Sequence, residues 1–420
     1  MTSESLGRSE FRRGWRPLLA ASIAVSFSST ILPFNTLGAL VAPLESEFGW
    51  QRADIQFSYF LFTMLSGLSY PAVGSLIDRF GARRVALVGM PAFSLAFAAI
   101  GLSGPSLPVF YALWMATGLL GAAATPVTFT RVVNEWFVAR RGLALSLTLL
   151  VAGFFSSVLQ VGSTLLVQSM GWRAALFTLA VVPLVLALPF MLAYFRSPPV
   201  EMSGTVTASG SGSVGVALRT ALHGYRFYAL AAGIVCVTLG ISGTMINFKP
   251  LMTDAGITPE TAAYIAGAVG LSVMVGRLGV GLLIDRFWAP GLAFPLLALP
   301  AVSCVLLASA PPTPNAALVA GILIGLAAGA EADVLPYLTA RYFGLRHYGR
   351  IFGTLYAVFI ISSGIAPYLF GLVYDQVGTY APALYTSALL FVVGAGSLLS
   401  LGAYPQLLPD PSDMERKAAS

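Results

Sequence analysis

The sequence predicts an all-α membrane protein of twelve transmembrane helices in two pseudo-symmetric six-helix bundles, and three observations predict it. Hydrophobic residues make up 57% of the 420 and charged residues 10%, with mean hydropathy +0.83. A soluble domain carries about 25% charged residues. Apolar runs of spanning length, roughly 20 residues, recur along nearly the whole chain. They are continuous rather than alternating with period two, which selects helices over a barrel. The chain also repeats itself: Gly74-Ser-Leu-Ile-Asp-Arg-Phe80 returns as Gly281-Leu-Leu-Ile-Asp-Arg-Phe287, 207 residues on.

The apolar runs fall near residues 17–41, 53–77, 84–104, 106–136, 142–168, 174–195, 226–250, 259–284, 289–309, 315–341, 349–374 and 381–404. Arg8, Arg12, Arg13 and Arg16 precede the first run, with no small-residue cleavage site after a short apolar core, so it reads as an uncleaved span. Residues 1–196 form the first bundle and 223–420 the second. Between them, 197–222 contains Ser-Gly-Thr-Val-Thr-Ala-Ser-Gly-Ser-Gly-Ser, a flexible linker by composition. The 207-residue offset also maps Pro43 to Pro250, Gly49 to Gly256, Gly118 to Gly325, Ser156 to Ser363 and Gly171 to Gly378. One shift through turns and helix interiors predicts two related bundles in the same orientation, with a site between them at the midplane.

Charge sets the orientation. Arg79, Arg83, Arg84, Arg140, Arg141, Arg196, Arg219, Arg226, Arg286, Arg341, Arg346 and Arg350 gather on the face that holds the termini. The other face offers Arg52, Arg173 and Lys249. By the positive-inside rule the termini and linker are cytoplasmic. The net charge of +6 is therefore a topology signal, and no nucleic acid partner is expected. Cys236 and Cys304 lie within apolar runs and offer neither metal spacing nor a disulfide framework. No clustered histidines, nucleophile-base pair or phosphate-binding Gly-x-x-x-x-Gly-Lys-Ser/Thr loop is present, so neither an enzyme nor a resident cofactor is expected.

Within this apolar frame Arg277 is the first functional candidate. A guanidinium stays charged at any accessible pH, so inside a span it must face a partner, water or an anion. Its planar fork matches a carboxylate with two hydrogen bonds. A structural salt bridge to a neighbouring helix is the plainer alternative. Glu331 and Asp333, in Ala-Gly-Ala-Glu-Ala-Asp-Val-Leu-Pro336, are the candidate proton carriers. One of them would exchange a proton as Arg277 takes or releases substrate; a permanent ion pair is the alternative. Two positions apart on a helix, they cannot both face one partner.

The segment Gly74-Ser-Leu-Ile-Asp-Arg-Phe-Gly-Ala-Arg-Arg84 resembles the signature between spans two and three of the major facilitator superfamily. Within it the chain is similar to bacterial members of the monocarboxylate porter and oxalate/formate antiporter group. Phe48-Gly-Trp-Gln-Arg-Ala-Asp54, Thr130-Arg-Val-Val-Asn-Glu-Trp-Phe137, Leu251-Met-Thr-Asp-Ala-Gly-Ile-Thr-Pro259 and Val275-Gly-Arg-Leu278 carry the likeness. The resemblance implies a monomeric secondary transporter in the bacterial inner membrane, with Arg277 on the substrate carboxylate and proton symport as the coupling. It implies that loops bearing Asp78, Arg79, Arg83, Arg84 and Arg141, and in the second half Asp285 and Arg286, latch one conformation. As plain topology determinants these residues need no latch. Val273 stands where some of the group carry an aspartate, and span eleven lacks the lysine of the oxalate/formate relatives.

The expected substrate is a small monocarboxylate, with protons and the lipid bilayer as the other partners. A proton-driven efflux pump for apolar or cationic compounds is the rival, favoured if Glu331 and Asp333 dominate the cavity. Tyr70, at the place of Arg277 in the first half, would project at the same depth. Asn35, Gln160, Asn247, Tyr356 and Ser363, with Ser156, would complete the cavity as hydrogen-bonding groups. Lys249, near the outer end of span seven, reads as a snorkelling surface cation, with an outward-facing anion guide as the alternative. Arg131 is expected to pair with Glu135 one turn on, with a substrate role as the alternative.

Overall fold

The computed structural model describes residues 3–137, 141–196, 215–216, 218–284, 286–309, 313–344 and 348–405. In chain order the helices are α1 (Ser3–Ser26), α2 (Ile31–Phe48), α3 (Arg52–Phe80), α4 (Ala82–Ile100), α5 (Leu107–Gly121), α6 (Pro126–Trp136), α7 (Arg141–Val182) and, after a π-turn, α8 (Leu188–Tyr194). The second half adds α9 (Leu218–His223), α10 (Tyr225–Asp254), α11 (Pro259–Leu283), α12 (Ala289–Ala298), α13 (Pro300–Ser309), α14 (Pro314–Phe343), α15 (Tyr348–Val377) and α16 (Ala381–Leu399).

Among the described residues ten stretches are long and apolar enough to cross a membrane. One of them, residues 143–194, holds two helices that meet at Gly171, whose φ of 79° only glycine adopts readily. The 29-residue α3 has the length of a span as well, and its residues 60–77 hold no charged side chain. Counting α3, and dividing 143–194 at Gly171, gives twelve rods. Helix α3 packs on α15 of the other half and on α5 of its own.

Of the rods that are broken midway, two have breaks that serve each other. Between α1 and α2 the Ser29 amide donates to the Ala124 carbonyl (2.9 Å), and its hydroxyl to the Gly121 carbonyl (2.7 Å), at the break between α5 and α6. Backbone groups freed inside a bilayer need partners, because hydrocarbon supplies none.

Two apolar clusters form the core, one from residues 18–195 joined by Ile246, the other from 221–401. The repeat survives at atomic detail. A Cβ on Gly118 would lie 2.5 Å from the Phe62 carbonyl oxygen, and one on Gly325 would lie 2.5 Å from that of Val269, the same pair shifted by 207. These glycines let helix backbones touch. Gly325→Ala is expected to destabilise by about 1–3 kcal/mol through overpacking against backbone that cannot yield. Gly162→Ala, whose Cβ would enter open space, is expected to leave the melting temperature of the purified protein unchanged or raised. Equal melting behaviour of the two variants would refute the close-approach account.

The halves meet along three seams: α3 with α15, α7 with α11, and α2 with α10.

Candidate functional site

At the rim opposite the termini, Arg52 knots the halves together. It begins α3, its residue is 6% exposed, and nearly all its donors are engaged. Across the seam it forks onto Asp254 at the end of α10, with NH1–Oδ2 2.5 Å and NH2–Oδ1 3.0 Å. NH1 also donates to the Tyr380 hydroxyl (2.7 Å), and the guanidinium lies 3.8 Å from the Tyr374 ring centroid. Within its own half Nε holds Glu45 at 2.8 Å. Gln51, the N-cap of α3, makes no side-chain cap; Asp375 of the other half caps the helix instead, accepting from the amides of Arg52 (3.3 Å) and Ala53 (2.8 Å). Burial pushes the Tyr380 phenol well above its ordinary range against the opposing pull of Arg52, so it stays protonated and donates to Asn247 Oδ1 at 3.3 Å.

The knot arises where the repeat is broken. In the first half Glu47 holds Arg173 at 2.6 Å and accepts from the Trp172 indole at 2.6 Å. Shifted by 207, Glu47 becomes Asp254 but Arg173 becomes Tyr380. Asp254 thus loses its own half's cation and takes Arg52 from the other.

Asn247 belongs to this rim layer. Fully buried, it donates to the Gly243 carbonyl (2.9 Å) and accepts from Gln56 of the first half (2.5 Å). Its amide is bonded across the seam, away from the pocket that Asn35 and Gln160 line. Gln56, Asp254, Asp375 and Tyr380 carried no signal as single residues.

Below the knot a small pocket opens between the halves, lined by Asn35, Gln160, Thr164 and Lys249 among apolar neighbours. Its free space of about 40 Å³ holds a few waters, at roughly 10–15 Å³ each. Lys249 reaches into the seam, where Nζ donates to the Thr164 hydroxyl at 3.1 Å. The expected surface cation is therefore an interior one, because α10 turns that face to α2 and, through Thr164, reaches α7. Asn35 is held by the Ile31 carbonyl (2.8 Å) and by Ser156 (3.1 Å).

Deeper in the same seam lies Arg277 on α11. Its NH1 donates to the Leu149 carbonyl on α7 at 3.2 Å, and its Nε stands 3.7 Å from Asp333 Oδ2 on α14, within ion-pair range. That Nε is buried without a hydrogen-bond partner. Backbone contact makes the meeting possible, since any Cβ on Gly329 would strike the Val273 carbonyl. The guanidinium is thus anchored at one nitrogen, loosely paired, and 18% exposed, a fork with donors in reserve.

Of the two acidic residues on α14, Asp333 faces Arg277 and Glu331 does not. Glu331 is buried and accepts from Thr238 on α10 at 2.5 Å. The polar residues expected around Arg277 are dispersed. Asn35 and Gln160 line the Lys249 pocket. Ser363 donates to its own helix at the Ile360 carbonyl (2.8 Å). Tyr356 stacks between Phe352 and Phe359 and lies within electrostatic range of Tyr70 across the seam. Tyr70 lies within hydrogen-bonding range of Ser66 on its own helix.

At the face that holds the termini, Arg79 and Arg84 are exposed, with Arg79 over the Phe80 ring; Arg83 donates to the Leu192 carbonyl at 2.8 Å, and Arg286 is exposed. Asp285 and the side chains of Asp78 and Arg141 lie outside the described residues. The Arg131–Glu135 pair is present at 3.5 Å. Among the described residues no group of His, Cys, Asp and Glu could hold a metal ion.

Comparison with known proteins bears on this arrangement. A family model described as Major Facilitator Superfamily matches residues 18–329 and 230–419. Monocarboxylate transporter 11 of Homo sapiens is 25% identical over 97% of this chain and 86% of its own length. Monocarboxylate transporter 13 of Rattus norvegicus is 25% identical over 92% of this chain and 89% of its own. The tetracenomycin C resistance and export protein of Streptomyces glaucescens is 29% identical over 39% of this chain and 30% of its own.

Proposed function

The chain belongs to the major facilitator superfamily, and on that premise we propose that it carries a small organic anion, a monocarboxylate, together with protons across the inner membrane of a bacterium. Residues 1–196 and 223–420 act as the two rocking bodies, and exposure of the seam alternates between the two faces. The basic residues on the face of the termini put that face in the cytoplasm. The Arg52 knot then closes the outer side.

One observation carries the substrate class: Arg277 sits in the inter-half seam with a single hydrogen bond, to a neutral carbonyl, and a loose ion pair. A permanent structural pair would be expected to fork onto its carboxylate, as Arg52 does on Asp254. Arg277 keeps that geometry available for a ligand. The names of the two monocarboxylate transporters, aligned over nine-tenths of this chain or more, support the same class.

Coupling follows from charge. Asp333 and a substrate carboxylate compete for one guanidinium, and two anions on one cation in low dielectric leave an uncompensated charge. A proton on Asp333 restores the balance, so substrate and proton travel together. Glu331, turned away on Thr238, takes no part in this exchange.

Uptake of labelled pyruvate into proteoliposomes tests the reading. An imposed gradient, acidic on the outer face, is expected to accelerate wild-type uptake, and no uptake at all would overturn the monocarboxylate assignment. Asp333→Asn is expected to retain exchange of labelled for unlabelled pyruvate while losing the acceleration. If Asp333→Asn keeps its gradient response, the proton is carried elsewhere.

A further inference from the structure

We propose that Lys249, with Thr164 and Gln160, forms a second anion site that takes a small carboxylate between the outer rim and Arg277; the site deepens the transporter reading and rests on it. Lys249 projects into a pocket inside the Arg52 knot, walled on the other side of the seam by α2 and α7. Its ammonium carries three donors, and its described partner is the neutral Thr164 hydroxyl. Among the described residues no carboxylate pairs with it. An ammonium within a span has to be neutralised or hydrated, and here the vacant counter-charge faces a cleft rather than lipid.

The remaining lining suits an organic acid. Thr164 passes its own proton to the Gln160 carbonyl at 3.2 Å, leaving its oxygen as acceptor for Lys249. The side-chain Oε1 of Gln160 is buried without a partner; that oxygen can only accept, from Lys249, so the Gln160 group that would donate to a carboxylate is its amide nitrogen. Phe34, Ile246 and Phe248 provide an apolar wall for a short carbon body.

Distance separates this site from Arg277. The tips of the two cations bind α7 at Thr164 and at Leu149, 15 residues apart on one helix. At 1.5 Å per residue that is about 22 Å. A short dicarboxylate spans only a fraction of this, so one substrate cannot bridge both charges. They are successive stations for one carboxylate, not two halves of one dicarboxylate clamp.

The repeat supports a dedicated role. Shifted by 207, Lys249 corresponds to Ala42 and Thr164 to Gly371, so the pocket occurs once. It is built from α10 of one half and α7 of the other, so its lysine-hydroxyl bond breaks when the rim opens and the ammonium becomes available to an entering anion.

Thermal stabilisation of the purified full chain in nanodiscs by pyruvate and by benzoate tests the site, using wild type, Lys249→Gln, Lys249→Arg, Arg277→Lys and the double variant Lys249→Gln/Arg277→Lys. Arg277→Lys is expected to keep a residual stabilisation, and adding Lys249→Gln to it to weaken the apparent affinity by about tenfold or more, the loss of one charge-assisted bond. Lys249→Arg keeps charge and stabilisation, which separates loss of the site from loss of the fold. The site is overturned if neither acid gives a Lys249-dependent shift, or if the double variant matches Arg277→Lys. Benzoate stabilisation that depends on Lys249, with no pyruvate uptake by wild type, would refute the pyruvate-like substrate and leave the site standing.

Discussion

Arg277→Lys is expected to lower pyruvate uptake by roughly 10- to 100-fold, measured as initial rate in proteoliposomes under a fixed pH gradient. Charge is retained, so electrostatic attraction and topology survive. What is lost is the planar fork, because an ammonium is a point charge that cannot meet both carboxylate oxygens in one plane. A hydrogen bond to a charged group contributes about 1.5–3 kcal/mol, and each 1.4 kcal/mol is a factor of ten. The anchor to the Leu149 carbonyl, 3.2 Å from NH1, is also at risk, since the shorter side chain must choose between that acceptor and the substrate. Uptake equal to wild type would remove Arg277 from the centre of the mechanism.

Arg52→Gln is expected to shift the protein away from the rim-closed state by about 3 kcal/mol, a change of more than roughly 100-fold in the ratio of closed to open forms. The figure follows from breaking a pair buried on the Arg52 side, whose side chain is 7% exposed, while Asp254 at 32% keeps some solvent. Only cross-half partners count. Glu45 sits on the same half as Arg52 and rides with it, so the Nε bond survives opening, whereas the Asp254 fork, the Tyr380 hydroxyl and the Tyr374 ring are lost. The check is a cysteine placed at Thr164 after Cys236 and Cys304 are replaced. A membrane-impermeant thiol reagent from the outer face should modify it far faster when Arg52→Gln is added. Unchanged labelling would mean that the knot does not hold the rim.

The repeat of 207 residues shows how much was legible from the chain. It predicted six rods twice over, and the structure keeps it down to paired contacts, Gly118 on Phe62 and Gly325 on Val269. It also contained the rim knot, unread: Glu47 and Arg173 map to Asp254 and Tyr380, an anion left without its cation. That signal lies in what the second copy lacks, and pattern matching looks for what is present.

The positions of Lys249, Asn247 and Asp333 were not legible, because side-chain direction on an apolar helix depends on which neighbour each face meets. Hydropathy alone cannot separate a lysine near a span end that leaves for water from one that turns into a seam. Likewise Glu331 and Asp333 are equally acidic in sequence, and the contact of α14 with α11 on one side and α10 on the other assigns Asp333 to Arg277 and Glu331 to Thr238.

Composition, run length and internal repetition by themselves determined the helical membrane architecture, its duplication and the presence of a charge in span eight that must face a partner, water or an anion. These are properties of transfer energy and periodicity, which a chain carries whatever its final packing. The tertiary structure alone decided which faces of α3, α7, α10 and α11 meet across the seam. It thereby closed the rim through Arg52 and set two cations about 22 Å apart along α7. Those choices rest on glycine-sized gaps between backbones and on ion pairs formed between halves more than 200 residues apart in sequence, and no local pattern encodes either.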